Sequence, residues 1–156
     1  MGGVAGHAGL FSSAQDLAVF AGMLASGGLA RPCDFEPASG RPCAGRSVPI
    51  AIRILQDATV DLFTTRAETD VSRALGWDTP QGRSSAGDLL SGGSFGHTGF
   101  TGTSIWVDPE LDLFVVLLTN GVNPSRENDR VTAFRRAVHD GVASAIVDRR
   151  VTPRSR

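Results

Sequence analysis

Residues 103–119 read Thr103-Ser104-Ile105-Trp106-Val107-Asp108-Pro109-Glu110-Leu111-Asp112-Leu113-Phe114-Val115-Val116-Leu117-Leu118-Thr119. Two runs rich in β-branched, aromatic and aliphatic residues, 103–108 and 113–119, flank Pro109-Glu110-Leu111-Asp112. Proline and aspartate suit a tight connection and disfavour a continuing strand, so the pattern predicts an antiparallel hairpin. Leu113 to Leu118 is apolar at every position instead of alternating, which predicts a strand covered on both faces.

Downstream of the hairpin, Ser125 is placed to cap a long helix over 126–147, with Val131, Phe134, Val138, Val142 and Ile146 along one face. At the helical rise this spans about 33 Å. His139 is expected at its surface. Upstream, Ser13 and Asp16 form an S-x-x-D box, and Leu17, Phe20, Ala21 and Leu24 recur at helical spacing until Gly27-Gly28 stops them. A second, shorter helix is expected over 57–64, capped by Asp57 with Val60 and Phe63 facing inward, and Leu75-Gly76-Trp77 reads as a brief strand. Residues 29–49 hold four prolines and both cysteines and read as an irregular connection. The fold expected is α/β (α+β), an antiparallel sheet flanked by helices, in one domain over 1–150 with a tail at 151–156.

Composition excludes several chemistries. The chain has 156 residues, and all 15 of its Lys+Arg cations are arginine; tyrosine is also absent. Without lysine there is no Walker motif, Schiff base or Ser-Lys pair, and without tyrosine no phenolic acid or base. A net charge of -1 gives no reason to expect nucleic acid as a partner. Eight of the fifteen arginines follow residue 125, but acids interleave them, so a solvated helix face and tail is preferred over a basic docking surface. No run reaches the ~18 apolar residues of a membrane span. Cys33 and Cys43 allow either a local disulfide or two free thiols. No cofactor is expected, and no four-ligand metal pattern is present in the sequence.

Two glycine-rich motifs bear on function. Gly92-Gly93-Ser94-Phe95-Gly96 fits the G-x-S-x-G frame of a nucleophile elbow, which requires a strand before the serine and a helix after it. Here a polar loop precedes Ser94 and more glycine follows, so the frame lacks its context. Gly2 to Gly9 and Gly92 to Gly99 share the frame G-G-x-x-G-H-x-G. The shared frame is either a coincidence in a glycine-rich chain or a sign that His7 and His97 line one cleft. Two histidines are too few for a zinc site.

His97-Thr98-Gly99, two strands, Leu118-Thr119-Asn120, Pro124 and a terminal helix together resemble the C-terminal part of the serine β-lactamase-like hydrolases. These include class C β-lactamases, penicillin-binding DD-peptidases, D-aminopeptidases and esterases. Gly6-His7-Ala8-Gly9-Leu10-Phe11-Ser12-Ser13-Ala14-Gln15-Asp16-Leu17-Ala18 is similar to the helix that precedes this region in the family, and Leu75-Gly76-Trp77 to a strand before it. The resemblance implies amide or ester hydrolysis through an acyl-enzyme. His97, Thr98, Gly99 and Phe100 would form the catalytic wall. His97 would be a substrate-facing cation or donor, Thr98 would offer a hydroxyl, Gly99 close approach, and Phe100 a backbone N–H for the oxyanion. His97, Thr98 and, if the shared frame is meaningful, His7 would contact substrate.

The S-x-x-K and Y-x-N elements of that family need lysine and tyrosine, which this chain lacks. The resemblance therefore implies a C-terminal portion of a longer hydrolase, inactive alone, whose missing partner is the N-terminal part of its own domain. A small-molecule or peptide substrate is expected for the longer protein, and any signal peptide would precede Met1. Two alternatives are a non-catalytic module that binds peptides or β-lactams and a small esterase using Ser94 with a histidine base. The partial sheet also implies low solubility or self-association.

Overall fold

The computed structural model describes residues 3, 5–30, 51–68 and 70–146. Cys33, Cys43, most of the proline-rich connection and the tail 151–156 lie outside the described residues.

The first helix, α1 (Ala14–Ala25), starts where the sequence indicates. The Ser13 hydroxyl oxygen accepts the Asp16 N–H at 3.1 Å and donates to the Asp16 carboxylate at 2.9 Å. The Gly28 N–H, bonded to the Met23 carbonyl at 2.8 Å, closes its end. Two-residue strands β1 (Leu29–Ala30) and β2 (Ile52–Arg53) pair antiparallel. They lead into α2 (Asp57–Thr64), which has no side-chain cap bond. Asp57 is its first helical residue rather than its cap, and holds Arg53 in an ion pair at 3.0 Å. Val60 is buried as expected, whereas Phe63 is exposed, because only one turn of this short helix meets the core.

The hairpin forms the centre of the molecule. Strands β3 (Phe95–Thr98), β4 (Ser104–Asp108) and β5 (Leu113–Leu117) make an antiparallel sheet in the order β3-β4-β5. Phe95 pairs with Val107 and Thr98 with Ser104; across the hairpin Ser104 pairs with Leu117 and Asp108 with Leu113. Along β4 the alternation of the strand sends Trp106 and Val107 to opposite faces, both fully buried. Val107 joins Phe95, Val60 and the α1 residues Ala21, Met23 and Leu24 in one cluster. Trp106 joins Ala86, Leu90 and Ala143 in the other. Each large apolar side chain buried this way contributes about 1.5–3 kcal/mol. β4 is therefore the strand covered on both faces. The wholly apolar β5 buries only Val115, because it is the outer strand among the described residues.

Asp108 ends β4 and is almost completely buried. Its carboxylate accepts the N–H groups of Glu110 and Leu111, each at 3.1 Å, and both the N–H and hydroxyl of Ser91, at 2.6 and 2.7 Å. One side chain thus fixes the hairpin turn and the loop entering β3.

Two further expectations are corrected. Leu75-Gly76-Trp77 is a turn: Gly76 has φ +82°, a backbone state that favours glycine, and the Ala74 N–H bonds the Trp77 carbonyl at 3.0 Å. The turn carries Trp77 onto Phe20 and Phe95. The terminal helix α3 (Arg130–Ser144) is shorter than 126–147 and turns its polar side inward. Arg135, His139 and Ala143 are buried, Val131, Val138 and Ile146 of the expected stripe are half-buried, and Phe134 and Val142 are exposed. His139, expected outside, has no exposed surface at all.

Candidate functional site

Strand β3 and the turn after it carry the candidate wall. Alternation sends Phe95 into the α1 core, while Gly96 lies against the Trp106 ring so closely that a β-carbon would meet that ring and the Ile105 carbonyl. Glycine is required there to bring β3 and β4 together. On its outer side Gly96 exchanges both backbone bonds with Asp78, at 2.7 and 2.9 Å. By the two-residue period, Thr98 presents its own N–H and C=O to that same edge. The Thr98 carbonyl meets the His97 ring at Nδ1, 2.9 Å away, which makes Nδ1 the protonated nitrogen of that ring. His97 is exposed, and Thr98 is half-buried.

Thr98 borders a small polar cavity of about 200 Å³ shared with Asp78, Arg83, Thr132 and Arg135. The turn beyond it is closed by Gly99 N–H to the Thr103 carbonyl at 2.8 Å and by Gly102 N–H to the Gly99 carbonyl at 3.1 Å. Phe100 stands out at its tip, 77% exposed, with the Arg126 guanidinium 5.9 Å from the ring centre. The Phe100 N–H has no acceptor among the described residues. His97 and Gly99 thus turn their backbone bonds toward Ile105 and Thr103, while Thr98 faces the outer edge.

His7 sits at the tip of a turn closed by reciprocal Ala5–Ala8 bonds at 3.0 and 3.1 Å, and neither His7 nor His97 lines either of the two cavities described here. Ser94 lies one residue before β3 at the border of a larger cavity of about 400 Å³. It is buried, and its hydroxyl donates to the Ser91 carbonyl at 2.8 Å. The strand follows Ser94 where an elbow needs it to precede, and no histidine bonds the hydroxyl among the described residues. The esterase reading of Ser94 loses its support.

Behind the wall, α3 supplies groups that the sequence reading missed. Arg135 bonds three carbonyls of the turn. His139 donates from Nδ1 to the Ser85 carbonyl at 2.7 Å, leaving Nε2 to accept weakly from the Ser104 hydroxyl at 3.4 Å. Burial pushes the His139 pKa down, against smaller opposing pulls from the Ser85 bond and the Asp140 charge, so the ring is held neutral. Arg136 bonds the Ser84 carbonyl and Asp88, and the Asp140 carboxylate accepts from the Asp88 and Leu89 N–H groups. The readable signal was the four-residue spacing of Arg135, His139 and Ala143 along the flank of the apolar stripe. Among the described residues no three His, Cys, Asp or Glu side chains cluster as metal ligands would, and no helix is long and apolar enough to cross a membrane.

Comparison with known proteins agrees with the α+β fold. The family described as Beta-lactamase matches residues 1–140. An N-acetylmuramyl-L-alanine amidase of Bacillus subtilis (strain 168) is 36% identical over 123 residues, covering 77% of this chain and 24% of that protein. A Salmonella gallinarum protein, provisionally named as a D-alanyl-D-alanine carboxypeptidase, is 35% identical over 135 residues, covering 84% of this chain and 27% of its own length. A Salmonella newport protein of the same name is 34% identical over 134 residues, with the same two coverages. The chain spans about a quarter of the length of the curated relatives it matches.

Proposed function

Because the chain belongs to the β-lactamase family, we propose that it is the C-terminal portion of a serine hydrolase that cleaves an amide or ester through an acyl-enzyme. The observation that carries this reading is the open edge formed by Thr98 and the Phe100 N–H beside exposed His97. An extended acyl group laid along that edge meets backbone donors in the manner of an added strand. His97 offers a ring nitrogen to the substrate, Thr98 a hydroxyl, and the Phe100 N–H a fixed dipole where negative charge develops on the carbonyl oxygen. Relatives named for D-alanyl-D-alanine carboxypeptidase and N-acetylmuramyl-L-alanine amidase activity support a peptide amide as the substrate class of the whole protein.

The nucleophile and its base are not supplied by these residues. An S-x-x-K serine and a Y-x-N tyrosine need residue types this chain lacks. The chain alone therefore performs no acyl transfer, and its first partner is the N-terminal part of its own domain. Incubation with a fluorescent penicillin and a fluorophosphonate tests this: no covalent adduct is expected, and labelling of any serine, above all Ser94, overturns it. Saturable penicillin binding without an adduct means that the wall keeps its substrate contacts without the nucleophile, as both the fragment and a non-catalytic binding module would. An in-frame S-x-x-K followed by Y-x-N upstream of Met1 favours the longer hydrolase.

A further inference from the structure

The turn after β3 directs its carbonyls into the protein, toward α3. There Arg135, only 7% exposed, donates from Nη2 to the Gly99 carbonyl at 2.8 Å and the Thr103 carbonyl at 2.9 Å, and from Nε to the Gly102 carbonyl at 3.1 Å. It forms no ion pair among the described residues, so backbone dipoles offset its buried charge. The planar fork of arginine reaches three acceptors at once, which a single ammonium cannot do.

The Gly99 carbonyl also accepts the Gly102 N–H, which shapes the turn locally. Arg135 adds what that bond cannot: it ties both ends of the turn to α3 and so fixes its orientation. Other bonds pin the far side, from the Gly121 N–H to the Thr101 carbonyl and from the Thr119 hydroxyl to the Gly102 carbonyl. In a trans peptide the C=O and N–H point in opposite directions. The Gly99–Phe100 bond is trans, so a Gly99 carbonyl held toward α3 turns the Phe100 N–H away from α3.

We infer that Arg135 is a positioning residue: through the Gly99 carbonyl it holds the Phe100 N–H aimed at the substrate edge. The inference rests on the reading of that N–H as an oxyanion donor, and it assigns to α3 a part in the site from behind the wall.

The test uses the 156-residue chain, labelled with ¹⁵N, as wild type, Arg135→Lys, Arg135→Gln and Arg136→Gln. Arg136 serves as the control because it bonds the 84–88 loop and not the turn. Backbone order parameters from relaxation are read at Phe100, and at Trp106 and Val107 in β4. Phe100 is expected near the rigid value of about 0.85 in wild type and Arg136→Gln, and below about 0.6 in both Arg135 variants, with β4 unchanged. An unchanged Phe100 in folded Arg135 variants overturns the inference. So does equal loosening of β4 in both variants, or a wild-type Phe100 that is already mobile. Titration with benzylpenicillin supplies the second readout. The Phe100 amide shift should saturate in wild type, with affinity about tenfold weaker in Arg135→Lys and within about twofold in Arg136→Gln. If order parameters respond but wild-type Phe100 ignores the penicillin, the donor reading falls while the positioning itself stands.

Discussion

The two long helices cover opposite faces of one sheet with opposite chemistry. α1 buries Ala21, Met23 and Leu24 against Phe95 and Val107, an ordinary apolar interface. α3 buries Arg135 and His139 with Ala143, and turns Phe134 and Val142 outward. The difference follows from what each face must satisfy. Beneath α1 the strands offer side chains, and burial of apolar area is sufficient. Beneath α3 the chain offers irregular backbone, the turn 99–103 and the loop 84–89, whose carbonyls and N–H groups need partners once water is excluded. A helix with donors and acceptors at four-residue spacing meets that need, and an apolar helix could not.

The largest expected effect comes from taking those donors away. Arg135→Met keeps most of the buried volume but removes three charged hydrogen bonds to carbonyls that each keep one other donor, at about 1–1.5 kcal/mol each, for a loss of roughly 4 kcal/mol. Urea unfolding measures it, and a Met variant as stable as wild type would break the contrast between the helices. On the α1 side the complementary change is Leu24→Ala, which removes buried methyl groups and costs about 3 kcal/mol. Leu24→Met should recover most of this loss, because an apolar interface asks for volume rather than for hydrogen bonds.

A third test separates the faces by pH. Burial lowers the pKa of His139 below its ordinary 6.5. The unfolded chain takes up a proton there as pH falls through 6.5 while the folded chain does not, so the unfolded state binds more protons in that window. Stability is complete above 6.5 and is lost as pH falls toward the folded pKa, levelling off below it. Urea midpoints from pH 8 to pH 5 should show this fall in wild type and a flatter profile in His139→Gln. Equal slopes in the two proteins would mean that the ring does not carry the effect.

This contrast also marks what a reader of the sequence could see. Ser13 with Asp16 and the Pro109-Glu110-Leu111-Asp112 turn are local signals, each decided by neighbours within a few residues, and both hold in the structure, where His97 and Thr98 also lie on a strand. The edge partner of Gly96 is Asp78, brought in by the Gly76 turn, and no local pattern announces a pairing across that distance. The inward face of α3 was misread for a different reason. Hydrophobic periodicity assumes that a helix buries the centre of its apolar stripe, and here the buried face is turned to one flank of it, leaving Val131, Val138 and Ile146 half-buried. The polar side chains of Arg135 and His139 carried the information, but only the loops they satisfy give it meaning.

The smallest expected effect on the folded monomer lies on the outward face of that same helix. Phe134 is 50% exposed and Val142 36%, and Leu118, at the end of the outer strand β5, is 49% exposed. A stripe of this kind beside an open sheet edge favours association between copies. Phe134→Ser with Val142→Ser removes little buried area, so the urea midpoint should move by no more than about 0.5 kcal/mol. Sedimentation should nevertheless shift from associated species toward monomer, because the substitutions remove the apolar surface that brings copies together. A large loss of stability would show that the stripe already packs within one copy, and the two helices would then be less different than their buried faces indicate.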